Sequence, residues 1–223
     1  MASNQNVHFD QNQLLAMVVG ASFAAGLNVY ATVATLGLLA QAGLVDLPSN
    51  LHLLQSWWII AIAAAMFFIE FVADKIPAFD LIWNALHTFV RVPVAALIAY
   101  NATSQLSPTA QLLSAALGGG IALIAHGSKT AVRAAVTPSP EPISNIALSV
   151  GEDVTAIGLT WFATQHPIIA AGIAIVLLVL AVLLIRTLWG AMKRLFLGAR
   201  NAASSLVHHS DSHVLSGSAN RSD

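Results

Sequence analysis

Eleven side chains of this sequence could bind or relay charge: Asn28, Glu70, Asp74, Asp80, Asn84, His87, Arg91, Lys129, Arg133, Glu152 and Asp153. Glu70 and Asp74 stand four apart, which puts them on one face of a helix. At 100° per residue Asp80, Asn84, His87 and Arg91 fall within about 60° of one another, a polar stripe on an otherwise apolar helix. His126, Lys129 and Arg133 share a face by the same count, and Glu152 and Asp153 are adjacent. Carboxylates so placed can hold a cation or a proton, histidine can pass a proton, and arginine or lysine can act as internal counter-charge or grip an anion. Buried charges are tolerable only when paired, so a structural ion-pair network is the competing reading. A metal site from Glu70, Asp74, His87 and Glu152 is geometrically conceivable, but no fixed-spacing motif supports it. No motif calls for a cofactor.

These residues sit in a chain of 223 that is 57% hydrophobic and 9% charged, with mean hydropathy +0.76. Soluble domains carry about 25% charged residues, so the composition is that of an integral membrane protein. Nine Lys and Arg against ten Asp and Glu leave no clustered basic face for nucleic acid. The absence of cysteine excludes disulfides, thiolate catalysis and Cys-ligated zinc or iron–sulfur centres. The N-terminus lacks a basic n-region and runs into an apolar stretch too long for an h-region, so it reads as retained.

Periodicity and length predict an all-α polytopic protein with about six transmembrane helices: a polar segment 1–12, a membrane domain 13–197 and a disordered cytoplasmic tail 198–223. Span one, 14–40, is broken only by small or weakly polar residues, with Gly26, Asn28 and Tyr30 at depth. Its small-xxx-small pairs, Gly20 with Ala24 and Ala21 with Ala25, would serve close helix contact. Span two, about 54–76, begins at Trp57 and Trp58 as interfacial anchors and ends at Pro77. Span three is decided by arithmetic. The apolar run after Arg91 is nine residues, about 14 Å, half of what hydrocarbon requires. The helix must therefore start near Leu81, which brings Arg91 toward mid-membrane; the alternative is a surface helix over 78–91 followed by a re-entrant half-helix. A lipid-facing arginine would cost from about 3 to over 10 kcal/mol, so the stripe must face protein or water. Spans four (about 110–127, with Gly118, Gly119 and Gly120), five (145–165) and six (168–185) follow. The basic stretch 186–200 would lie on an anionic membrane surface.

Lys75, Lys129, Arg133, Arg186, Lys193, Arg194 and Arg200 all fall on the side of the C-terminus, while links 41–56, 101–109 and 165–167 contain no Lys or Arg. The positive-inside rule then places both termini in the cytoplasm of a plasma (inner) membrane. Three spans per half would have opposite orientations, as in inverted-repeat transporters. The triplets at Gly26 and Gly127 are candidate correspondences for a 3+3 repeat.

The stretches Gly-Leu-Asn-Val-Tyr-Ala-Thr at 26–32, Glu-Phe-Val-Ala-Asp-Lys-Ile-Pro-Ala-Phe-Asp-Leu-Ile-Trp at 70–83, and His-Gly-Ser-Lys-Thr-Ala-Val-Arg at 126–133 with Pro-Glu-Pro-Ile-Ser-Asn behind it resemble the domain-of-unknown-function 4126 family. The resemblance covers about residues 12–195 and implies a multi-span helical membrane protein, with no activity, substrate or cofactor attached. Function must come from the residues. They point first to a transporter or channel for an ion or small solute, with Glu70, Asp74, Glu152 and Asp153 as cation or proton ligands and Arg91 as counter-charge. Gly26, Pro77 and Pro93 are the breakers at which a discontinuous helix could expose backbone. The second class is a lipid-handling protein, a flippase or phosphate-headgroup hydrolase using Arg91, Lys129 and Arg133 with His87 or His126. No nucleophile elbow or His-Glu-x-x-His site supports the hydrolase. The expected partners are the lipid bilayer and a small solute or ion, with a homo-oligomer left open.

Overall fold

The structure, a computed structural model, describes residues 9–136 and 142–219. Within these the chain is helical, without strands: α1 (Gln11–Leu27), α2 (Val29–Gln41), a 3-10 helix (Ser49–Gln55), α3 (Trp57–Ala73), α4 (Pro77–Ala102), α5 (Pro108–Val136), α6 (Pro142–Gln165) and α7 (Pro167–Ala219). Four of them contain stretches long and apolar enough to cross a membrane: Ile82–Ala102, Pro108–Ala135, Ile146–Gln165 and Pro167–Arg194. The 3-10 helix and α3 meet at 63° and together would make a fifth. The exterior agrees with this assignment. Trp58, Phe89, Leu113, Val154 and Val176 are exposed, which water would penalise and lipid would not. The chain divides into two compact units, 1–182 and 183–223, the second being the later part of α7.

The run 14–40, expected as one span with a candidate break at Gly26, is built from two helices. Asp10 starts α1 with a reciprocal cap, its Oδ1 accepting from Gln13 N at 2.8 Å while Gln13 Oε1 accepts from Asp10 N at 3.0 Å. The helix ends at Leu27 because Asn28 turns extended (φ −149°, ψ 102°) and its Oδ1 accepts from Ala31 N at 3.0 Å, capping α2. Asparagine competes with the backbone for hydrogen bonds, so it is poor inside a helix and strong at its N-terminus. The break falls at Asn28 and not at Gly26.

The opposite outcome holds for span three. α4 runs unbroken from Pro77 to Ala102, with Pro77 in its first turn, where a missing N–H costs nothing, and Pro93 enclosed within it. Its 26 residues reach about 39 Å, so the length argument for a start near Leu81 holds and the surface-helix alternative falls. α5 likewise passes through Gly127 without a break.

α1 packs against α4, α5 and α6, forming the centre of the first unit. Small residues make these approaches. A Cβ on Gly26 would lie 2.6 Å from Ala122 O and 2.7 Å from Ala125 Cβ, and one on Gly118 would lie 2.6 Å from Ala99 Cβ. Close helix approach is thus what Gly26 and Gly118 allow, and at Gly26 it replaces the expected role of helix breaker. Gly26→Ala should destabilise by about 1–3 kcal/mol through overpacking, whereas Gly120→Ala, with nothing within 4 Å of the new carbon, should be neutral or stabilising. Melting temperatures in detergent check the order; equal values would refute the close approach of α1 to α5.

Candidate functional site

α3, α4, α5 and α6 each bring ionisable groups to one buried cluster beside the α1–α2 break. Arg91 on α4, fully buried, pairs through Nη2 with Glu70 Oε1 at the end of α3. Its Nη1 lies 2.6 Å from His126 Nδ1 on α5. A guanidinium has only donors, so Nδ1 accepts and Nε2 carries the hydrogen, which is directed to Thr88 Oγ1 at 2.8 Å and Asn84 O at 3.0 Å. His126 is thus a neutral, oriented ring that ties α5 to α4.

Lys129, one turn along α5, places its Nζ 3.3 Å from Glu70 Oε1, 3.2 Å from Asp74 Oδ2 and 3.3 Å from Glu152 Oε2. It also donates to Leu27 O at 3.4 Å, a carbonyl that the end of α1 leaves without a helical partner. Arg133, a further turn on, donates to Asp74 Oδ2 at 2.9 Å, Asp74 O at 3.1 Å and Glu152 Oε2 at 2.6 Å. Ser149 adds a hydroxyl at 3.4 Å from Asp74. The i, i+4 spacing of Glu70 with Asp74, and of Lys129 with Arg133, makes this interdigitation of acids and bases possible.

Asp153 behaves differently from its neighbour. Glu152 reaches the cations, but Asp153 Oδ1 accepts from the Asn28 side-chain amide at 2.8 Å and its Oδ2 has no hydrogen-bond partner among the described residues. Asn28 is wholly buried and Asp153 is 4% exposed. One asparagine therefore joins α6 to the break and caps α2. Thr32 Oγ1 donates to Asn28 O at 3.0 Å, reinforcing the junction.

The polar stripe of α4 divides between two environments. Arg91 enters the ion-pair cluster and Asn84 is buried beside it, offering its carbonyl to His126. His87 belongs to a second assembly, in which its Nδ1 donates to Trp83 O at 2.8 Å and its Nε2 accepts from Tyr30 O–H at 3.0 Å. The Trp83 ring stacks on it at 4.1 Å between centroids. With both nitrogens engaged, His87 does not join Glu70, Asp74 and Glu152, and that four-residue metal grouping is not formed. The Asp80 side chain lies outside the described residues. Tyr30→Phe should lower stability by about 0.5–1.5 kcal/mol, the worth of one hydrogen bond. An unfolding titration in detergent reads it, and a zero difference would remove Tyr30 from the assembly.

Lys75 stays outside the cluster. It follows α3, folds back to donate to Phe71 O at 2.7 Å and rests over the Phe71 ring. Burial pushes its ammonium below the ordinary lysine value, with Asp153 and Asp74 pulling the other way. Three contributors were absent from the ion-binding set read from the sequence: His126, which was placed only in the lipid-handling alternative, Tyr30 and the Leu27 carbonyl. The shared face of His126, Lys129 and Arg133 was the available signal for the first, and the depth of Tyr30 for the second.

Helices with apolar outer faces and a largely buried set of ion pairs within define an integral membrane protein. The chain belongs to the DUF4126 family, a domain of unknown function that matches residues 15–187. No curated protein and no solved structure matches it.

Proposed function

We propose that the protein is a transporter or channel for an ion or small solute, and that the buried cluster is its site. The observation that carries this reading is the α1–α2 break, whose two ends are wired to the charges: Leu27 O to Lys129, and Asn28 to Asp153. Discontinuous helices that offer backbone and a polar side chain at membrane depth are how helical transporters hold ions. In this reading the chain crosses six times, with α1 and α2 as one broken crossing and α3 as a short one. Both termini lie in the cytoplasm of the plasma membrane, as the distribution of Lys and Arg favours. Asn28, Glu70, Asp74, Asp80, Asn84, His87, Arg91, Lys129, Arg133, Glu152 and Asp153 remain the residues assigned to the site and its support.

The test is flux of protons, Na⁺, K⁺ and Cl⁻ across proteoliposomes. At least one ion should move faster than in protein-free vesicles, and Asp74→Asn, checked for folding by its elution profile, should abolish the difference. No flux of any ion, or full flux in a well-folded variant, would overturn the assignment.

A lipid-handling role is the second reading, favoured by one feature. A groove of about 630 Å³ opens among α1, α5, α6 and α7, lined by Phe23, Leu27, Leu148 and Leu177 with Ser128 and Glu152. Its walls suit an acyl chain, and Glu152 among them pairs with Arg133. Transfer of a fluorescent lipid between leaflets by the reconstituted protein would support this alternative.

A further inference from the structure

We infer that Asp153 is a single-proton site positioned by the Asn28 amide, and that the ion handled by the cluster is the proton, the second part resting on the transport reading above. The ion pairs single Asp153 out. Glu70 meets Arg91 and Lys129, Asp74 meets Lys129 and Arg133, and Glu152 meets the same two cations. Each of these acids already has two bases as counter-charge. Asp153 is buried as well and, among the described residues, has no ion pair and a single side-chain partner, a neutral amide on one of its two oxygens.

The charged groups facing Asp153 are Lys129 from α5, Glu70 from α3, and Asp74 and Lys75 just beyond its end. Lys129 is already shared among three other carboxylates, and Lys75 is turned onto Phe71. An ionised carboxylate so placed is expensive to bury. Among the described side chains of the cluster four carboxylates meet three cations, so one added proton brings the set to neutrality.

A proton fits better than a metal ion. Metal cations of this kind need several oxygen ligands, whereas Asp153 Oδ1 faces the N–H of Asn28, which repels a cation. The step balances simply: a proton from water on one side forms an O–H bond at Oδ2, and the same bond breaks when the proton is released. Protonation also weakens the Asn28 contact, because a neutral acid is a poorer acceptor than a carboxylate. Since Asn28 caps α2, the protonation state acts on the junction between α1 and α2.

Infrared difference spectra of the purified protein between low and high pH read the acid directly. A carboxylic-acid carbonyl band should grow as pH falls, be absent in Asp153→Asn, shift in Asn28→Ala and persist in Glu152→Gln. A wild-type protein without a titrating band, or a band unchanged in Asp153→Asn, overturns the proton site. If Asp153→Asn does not fold, the Asn28→Ala shift decides, and an unshifted band overturns the site. In proteoliposomes with a trapped pH dye, proton flux should exceed that of empty vesicles and be lost in Asp153→Asn. A titrating band without any ion flux overturns the transport reading alone. Na⁺, K⁺ or Cl⁻ flux without proton flux overturns the proton as the ion while leaving transport standing.

Discussion

Replacing Arg91 with leucine should destabilise the protein by about 3–5 kcal/mol, the penalty for removing one member of a buried ion pair. The expected loss has two sources visible in the geometry. Glu70 would keep only Lys129, at 3.3 Å, and that ammonium is shared with Asp74 and Glu152. The His126 Nδ1 atom, which accepts from Arg91 at 2.6 Å, would lose its donor, another buried polar group left unsatisfied at about 1–3 kcal/mol. Replacing Glu70 with leucine in the same protein should recover part of the loss, since removing both charges avoids stranding either one. A double-mutant cycle read by unfolding in mixed detergent should give a coupling of about 0.5–3 kcal/mol between the two positions. Additive losses would mean that the Arg91–Glu70 pair contributes nothing as a pair.

Substitution of Asn28 should rank next. Asn28→Leu removes the cap of α2, worth about 0.5–2 kcal/mol, and strips Asp153 of its only donor, about 1–3 kcal/mol more. The sum, about 1.5–5 kcal/mol, is a large share of a typical stability of about 5–15 kcal/mol, so reduced yield from the membrane is the expected outcome. Two further variants separate the roles. Asn28→Asp keeps a capping oxygen but sets two carboxyl groups against each other, and should be at least as damaging as the leucine. Adding Asp153→Asn to it exchanges donor for acceptor across the same 2.8 Å contact and should restore most of the stability. Failure of the exchange to restore anything, measured by melting temperature, would show that the contact is not what holds the junction.

How far the site could be read in advance follows from the range of the interactions. Helix periodicity is local, so the common faces of Glu70 with Asp74 and of Lys129 with Arg133 were legible, and the length shortfall after Arg91 was enough to put that residue inside a continuous helix. The mutual pairing of these groups was foreseeable only as a requirement, because which acid meets which base depends on how α3, α5 and α6 cross. The break at Asn28 was missed for a different reason. Nothing in the run 14–40 interrupts its hydropathy, and an asparagine in such a run can as well hydrogen-bond across helices as cap one. The partner that decides, Asp153, is 125 residues away. Likewise the stripe of α4 was correct as a face, but a face does not tell that His87 turns to Tyr30 while Arg91 turns to Glu70.

The Lys129 ammonium has a property that none of its individual contacts displays. It carries three N–H bonds, yet four oxygens surround it at 3.2 to 3.4 Å, from Asp74, Glu70, Glu152 and Leu27. Three hydrogens cannot point at four acceptors at once, so every orientation of the ammonium leaves one oxygen underserved. The three carboxylates stand at 3.2 to 3.3 Å, so distance favours none of them. The centre of the network is in this sense frustrated: a rigid set of helices encloses a rotor with several nearly equivalent settings. A small charge displacement at any one acceptor can reset which of α1, α3 and α6 holds the lysine.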